Sequence, residues 1–151
     1  MKLSTKGRYG LRALLDIAQN SGDGEIVSIQ SIARRQDISE SYLEQLIRKL
    51  KTAGFLNSVR GAGGGYVLAK EPQEITVGDV LRALEGSIKA VNCGGEIMEC
   101  ERADLCVTRL VWERVNSAIE EAVDGITLRM LLDESEKKQT KEMPDTGHCG
   151  S

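Results

Sequence analysis

The segment Ser39-Glu40-Ser41-Tyr42-Leu43-Glu44-Gln45-Leu46-Ile47-Arg48-Lys49-Leu50-Lys51-Thr52-Ala53-Gly54 runs straight into Phe55-Leu56-Asn57-Ser58-Val59-Arg60-Gly61-Ala62-Gly63-Gly64-Gly65-Tyr66-Val67-Leu68. The hydrophobic period changes where they join. In the first piece Leu43, Leu46, Ile47 and Leu50 recur at three- and four-residue steps, which places them on one face of an α-helix. That helix is expected from about Ser39 to Ala53. Ser41 and Glu44 have capping-box spacing, so either Ser39 or Ser41 can open it, and Gly54 suits the residue just past its end. In the second piece two short apolar runs, 55–60 and 66–70, flank a glycine-rich link, the pattern of a β-hairpin.

Upstream, Tyr9, Ala13, Leu14, Ile17 and Ala18 predict an amphipathic helix over Leu3–Asn20, with Ser4 or Thr5 as its cap and Ser21-Gly22-Asp23-Gly24 as its end. A shorter helix fits Ser28–Gln36, with Ile29, Ile32 and Ala33 inward and Asp37-Ile38 as a tight break. Three helices followed by a two-stranded hairpin is the order of a winged helix-turn-helix. The fold class expected is mainly α with a small β-hairpin. Beyond Pro72, Thr76 caps a short helix carrying Val77, Val80, Leu81 and Leu84, closed by Gly86. Residues 87–104 show no clean period. A long helix is expected over Leu105–Val123, with Leu110, Val111, Val115, Ala118, Ile119, Ala122 and Val123 on one side and Trp112 widening that face. Asp124-Gly125 interrupts it, and a last short helix fits Thr127–Glu134. The organisation expected is a DNA-binding module over 1–71, a connecting helix and cysteine-bearing loop over 72–104, helices over 105–134 and a polar, disordered tail over 135–151.

The composition agrees with a folded chain. Its 151 residues suit one domain or a small domain with an appendage, since single domains commonly run roughly 100–200 residues. Aromatic residues are 3%, so the core must be aliphatic. No apolar run approaches the roughly 18 residues needed to cross a bilayer, and Met1-Lys2-Leu3 opens into charged sequence rather than a signal peptide. A cytoplasmic location is expected, where thiols stay reduced. The four cysteines then read as ligands or sensors before they read as disulfides.

The net charge of −3 hides an asymmetry, because residues 1–71 hold 11 Lys and Arg against 7 acids while residues 72–151 hold 9 against 16. A basic front half on an acidic chain points to a polyanion partner. In a winged helix-turn-helix the N-terminal part of the third helix reaches base edges in the major groove. Here that part carries Ser39, Ser41, Tyr42, Glu44 and Gln45. Gln pairs bidentately with adenine, Glu accepts from cytosine N4, and Ser adapts to either. Arg34, Arg35, Arg48, Lys49 and Lys51 are expected near phosphates, and Arg60 with Gly63 and Gly64 at the hairpin tip, where Arg60 suits a minor groove. The plain alternative, polar faces of a small helical bundle, explains the charged faces but not their joint occurrence with a hairpin and its arginine. The glycine run is no phosphate-cradling nucleotide loop, since no Lys-Ser/Thr follows it. Catalysis is not expected. The single His lies at 148, in the polar tail, and forms no nucleophile–base constellation.

Met1-Lys2-Leu3-Ser4-Thr5-Lys6-Gly7-Arg8-Tyr9, Ser41-Tyr42-Leu43-Glu44-Gln45-Leu46 and Val59-Arg60-Gly61-Ala62-Gly63-Gly64-Gly65-Tyr66 closely resemble the bacterial iron–sulfur cluster regulators of the IscR type. Those belong to a wider family of winged-helix repressors that also includes nitric-oxide sensors and cysteine-metabolism regulators. The resemblance extends from residue 1 to about 134. It implies a homodimer, a dimerisation helix matching residues 105–123 and palindromic double-stranded operator DNA. It also implies that Glu44 helps discriminate between operator classes, and it brings iron–sulfur assembly proteins into view as partners.

Cys93, Cys100 and Cys106 lie within 14 residues. Thiolates hold iron–sulfur clusters, whereas structural zinc more typically shows Cys-x-x-Cys pairs or a His pair. Spacing alone leaves cluster and zinc nearly level, with free or redox-sensing thiols behind. The resemblance decides for a [2Fe–2S] cluster on these three cysteines. The sequence departs from the resembled pattern at the fourth ligand. Arg109 stands where the regulators carry a His, and Arg8 stands where some relatives carry a carboxylate. A guanidinium has no lone pair to give. Glu96, Glu99, Glu101 and Asp104 are nearby oxygen donors, and His148-Cys149 is a remote alternative. A cluster-free regulator of cysteine metabolism and an iron–sulfur scaffold or electron carrier are the competing functions.

Overall fold

The computed structural model describes residues 4–89 and 107–149, with side chains as far as Thr140. Six helices and one two-stranded antiparallel sheet are ordered α1 (Thr5–Asn20), α2 (Ile29–Gln36), α3 (Glu40–Thr52), β1 (Leu56–Val59), β2 (Gly65–Leu68), α4 (Val77–Glu85), α5 (Arg109–Asp124) and α6 (Leu128–Cys149). Each of the first four helices starts where a side-chain oxygen can satisfy an orphan backbone N–H. Ser4 accepts from the amide of Lys6, Ser28 from Ser31, Ser39 from Tyr42 and Thr76 from Asp79. Ser39, not Ser41, therefore opens the third helix. Gly54 follows that helix with φ +89°, the left-handed conformation that glycine adopts without steric cost.

One aliphatic core joins α1, α2, α3, the hairpin, α4 and the first turn of α6. Leu14, Ile17, Ile32, Leu43, Leu46, Ile47, Leu50, Leu56, Ile75, Leu84 and Leu128 are all fully buried. Each such side chain contributes about 1.5–3 kcal/mol relative to exposure. The inward set on α3 is the Leu43, Leu46, Ile47, Leu50 stripe that its spacing predicts. In the hairpin, Leu56 faces Leu68 and Val59 faces Gly65. Tyr66 also pairs with Val27 in a bridge before α2, which extends the wing's base by a contact that the hairpin pattern does not announce.

The second half closes over the first through backbone bonds at two helix starts. Val77 N–H donates to the Ile126 carbonyl and Leu128 N–H to the Ile75 carbonyl, both at 2.8 Å. Arg82 holds both carboxylate oxygens of Asp124, at 2.8 and 2.9 Å, tying α4 to the end of α5. That bidentate pair holds the Asp124 carboxyl below its ordinary pKa. Ile119 and Val123 of α5 pack with Val77, Leu81 and Ile88. The last helix departs from expectation. Instead of ending at Glu134 it continues to Cys149. Beyond Glu134 the chain reads Ser-Glu-Lys-Lys-Gln-Thr-Lys-Glu, and Glu, Lys and Gln are good helix formers that need no buried face to extend an anchored helix. Lys137 and Glu134 add an i,i+3 ion pair. No helix among the described residues is long and apolar enough to cross a membrane.

Candidate nucleic-acid interface

With Leu43, Leu46, Ile47 and Leu50 committed to the core, helical geometry turns Ser41, Glu44, Gln45 and Arg48 outward, and all four are exposed. They form one polar face. Ser39 lies at its start, with its hydroxyl oxygen accepting the Tyr42 amide. Tyr42 is half-buried and held from two sides. Its hydroxyl is 3.0 Å from the Thr5 hydroxyl, and its ring meets Tyr9 edge-on at 6.2 Å. Arg12 stacks 5.2 Å over the Tyr9 ring and reaches the Gln36 carbonyl at 2.8 Å, so α1 supports both the turn and the polar face of α3. Thr5 was invisible as a site residue in the sequence, because nothing local links it to a tyrosine 37 positions away.

The hairpin follows α3 directly and carries Arg60 exposed at its tip. The tip is a tight turn: Gly64 N–H donates to the Gly61 carbonyl at 3.0 Å, and Gly61 has φ +118°. A Cβ on Gly64 would collide with the Val59 carbonyl oxygen. Glycine is thus required for shape at this turn, while Gly63 stands in open space. Backbone this bare can approach a phosphate closely.

Two of the basic residues expected at phosphates are engaged elsewhere. Arg35 turns inward to Asp16, with Nε at 2.9 Å from Oδ2 and Nη2 at 2.7 Å from Oδ1. Asp16 is buried, and the hydrogen bond it accepts raises the guanidinium pKa above its already high value. Lys49 donates to the Leu84 carbonyl at 3.4 Å, across to α4. Arg34, Arg48 and Lys51 are exposed, as phosphate contacts need to be. Sequence spacing separates inside from outside for apolar residues, but it cannot tell an arginine that meets solvent from one that meets a buried carboxylate.

Cys93, Cys100 and Cys106 lie outside the described residues, as do Glu96, Glu99, Glu101 and Asp104. The described residues include no group of three or more His, Cys, Asp or Glu arranged to hold a metal ion. Arg109, at the position of the resembled histidine, opens α5 and donates from Nε to Glu113 Oε1 at 2.7 Å.

An exposed polar face on the third helix beside a glycine-tipped wing is the arrangement of a winged helix-turn-helix DNA-binding module. Residues 3–134 match the Rrf2 family, described as iron-dependent transcriptional regulators, and the chain belongs to that family. It is 43% identical over 143 residues to the HTH-type transcriptional regulator CymR of Bacillus subtilis, covering 95% of this chain and 98% of that one. It is likewise 43% identical over 142 residues to the HTH-type transcriptional regulator IscR of Aliivibrio salmonicida, covering 94% and 83%. The solved structure of T. potens IscR superposes with a TM-score of 0.75 at 49% identity, covering 92% of this chain and 91% of that one. The fold class and the family resemblance read from the sequence are thus both met.

Proposed function

We propose that the chain acts as a homodimer that reads palindromic operator DNA with α3 and the wing and senses iron–sulfur status through a labile [2Fe–2S] cluster. The observation that carries the DNA reading is the segregation of α3 into a buried Leu43, Leu46, Ile47, Leu50 stripe and an exposed Ser41, Glu44, Gln45, Arg48 face. Dimerisation is supported by α5, where Leu110, Val111 and Trp112 are 68%, 52% and 37% exposed. Ala118 and Ala122 continue an open apolar strip along the same helix. A lone protomer leaves that surface in water, which favours pairing.

The donor chemistry fits the cluster. Three thiolates on Cys93, Cys100 and Cys106 match the soft ligands that iron–sulfur units take. Arg8 and Arg109 cannot ligate; a carboxylate among Glu96, Glu99, Glu101 and Asp104, or water, would complete the site, with His148 and Cys149 as the remote alternative. A site completed by oxygen is weakly held, as a sensor requires. When bound, the group supplies a state that depends on iron supply. The equal identity to CymR favours a second reading, a cluster-free regulator of cysteine metabolism. The absorption spectrum of anaerobically purified protein separates the two: visible cluster bands support the first, and a colourless chain that binds its operator supports the second. A scaffold or electron carrier would not need the exposed reading face, and weak, sequence-independent DNA binding is what would favour it.

Two substitutions test the interface. Arg60→Ala is expected to weaken binding to operator and to non-specific duplex alike and to lower the salt slope by about 1 per site, as loss of one phosphate or minor-groove contact requires. Unchanged affinity and slope on both duplexes would remove Arg60 from the interface. Glu44→Ala is expected to alter which sequences bind, by about 1–3 kcal/mol at the affected base pair, more than it alters total affinity. Selection from a random duplex pool by wild-type and mutant chains measures this, and identical selected sequences would count against the role.

A further inference from the structure

The end of α4 touches the reading helix by two routes. Glu85 is the last residue of α4, and its Oε1 accepts from the amide of Gly7 at 2.7 Å, from the amide of Ser4 at 3.1 Å and from the Ser4 hydroxyl. A side chain from α4 thereby satisfies donors at the N-terminus of α1, which has no acidic residue of its own in its first turn. The approach is close because Gly7 and Gly10 face α4. A Cβ at Gly10 would run into Leu84, and one at Gly7 would sit 2.9 Å from Glu85 Oε1. The residue between Ser4 and Lys6 is Thr5, whose hydroxyl bonds that of Tyr42 on α3. The second route is Lys49 of α3, bonded to the carbonyl of Leu84, the residue before Glu85.

We infer that Glu85 is a positioning residue for DNA recognition: its carboxylate holds the first turn of α1, and that turn holds the Tyr42 hydroxyl on the reading face of α3. The Ser4 hydroxyl donates to the ionised form; with the Gly7 and Ser4 amides and the charge of Lys6 it outweighs the opposing effect of partial burial and holds this carboxyl below its ordinary pKa. Directly after Glu85, Gly86 ends the helix at φ +84°. This inference rests on α3 being the reader, as proposed above.

The test uses the full chain, a duplex selected from a random pool by the wild-type protein, and poly(dI-dC) as non-specific competitor. Glu85→Ala is expected to weaken binding to the selected duplex about 5-fold or more, the lower range of couplings between linked sites, with affinity and salt slope on poly(dI-dC) unchanged. Glu85→Gln keeps an oxygen acceptor for the amides and is expected to recover most of the loss. In a Tyr42→Phe background, Glu85→Ala is expected to add little, because the hydroxyl link is already cut. Fold losses that simply multiply in the double variant would overturn the inference, and so would equal losses on both DNAs. The two readings fail separately. Unaltered operator choice in Glu44→Ala sinks the assignment of α3 as reader, whereas an effective Glu44 with a silent Glu85 sinks the positioning role alone.

Discussion

Arg35→Ala is expected to destabilise the fold by about 3–5 kcal/mol, more than Asp16→Ala, although the two residues share one ion pair. The asymmetry follows from burial. The Asp16 side chain is 1% exposed and that of Arg35 is 40% exposed. Deleting Asp16 leaves a guanidinium that can rotate into water, so the loss is that of its charge-assisted hydrogen bonds, about 1.5–3 kcal/mol. Deleting Arg35 strands a buried carboxylate, the change that costs about 3–5 kcal/mol in comparable cases. Gln36 Nε2 remains at 2.8 Å from Oδ2 and Asn20 Nδ2 at 3.4 Å from Oδ1, which holds the cost toward the lower end. Against a total stability of about 5–15 kcal/mol this is a large fraction. Urea unfolding measures it as a fall in midpoint at constant slope. An Asp16→Ala loss equal to or above that of Arg35→Ala would show that stranded charge is not what matters here. Because Arg35 serves α1 and α2 rather than phosphate, the folded fraction of Arg35→Ala is expected to bind DNA with wild-type salt dependence.

That arginine also marks the boundary of what the sequence reveals. Caps, breaks and apolar stripes are local signals, and they placed α1 to α4 and the hairpin within a residue or two. The exposed face of α3 follows from its buried one by helical geometry alone. Contacts between positions far apart leave no such trace. Glu85 with Ser4 spans 81 positions, Thr5 with Tyr42 spans 37, and Asp16 with Arg35 spans 19. All three use polar residues whose local pattern is that of a solvated surface. The same bias misjudged the last helix. A run poor in apolar residues reads as disorder when burial is the only criterion, yet Leu128, with 1% exposure, anchors the start of α6 in the core and propagation then costs little. The three cysteines are close in sequence, which is why their spacing suggests a thiolate site. No local signal names a fourth ligand, since arginines stand at both positions that the resemblance offers, 8 and 109.

Cys93→Ala, Cys100→Ala and Cys106→Ala are each expected to abolish the visible absorption of anaerobically purified protein, the largest change available from a single atom's replacement in this chain. Removing one of three thiolates leaves two protein sulfurs and weak oxygen donors, too few for a site already short of its fourth strong ligand. The variants are expected to stay folded and dimeric. Among the described residues the core is built from aliphatic side chains of α1, α2, α3, α4, β1 and α6, and the apolar strip on α5 lies beyond all three cysteines in sequence. The cysteines lie, in sequence, between α4, whose end contacts α1 and α3, and α5, which presents the exposed apolar strip. A cluster that binds two arrangements of that junction unequally must shift operator preference by the same free energy, typically about 1–3 kcal/mol, or roughly 5- to 150-fold in relative affinity. The variants are therefore expected to select the same duplex sequences whether cells are grown with or without iron, while wild-type selections differ. A wild-type chain whose selections ignore iron would leave the cysteines without a regulatory role. Cys149→Ala is the internal control, expected to keep both colour and DNA binding. If instead it bleaches the protein, the C-terminal segment supplies the fourth ligand and the assignment to a carboxylate among Glu96, Glu99, Glu101 and Asp104 is wrong.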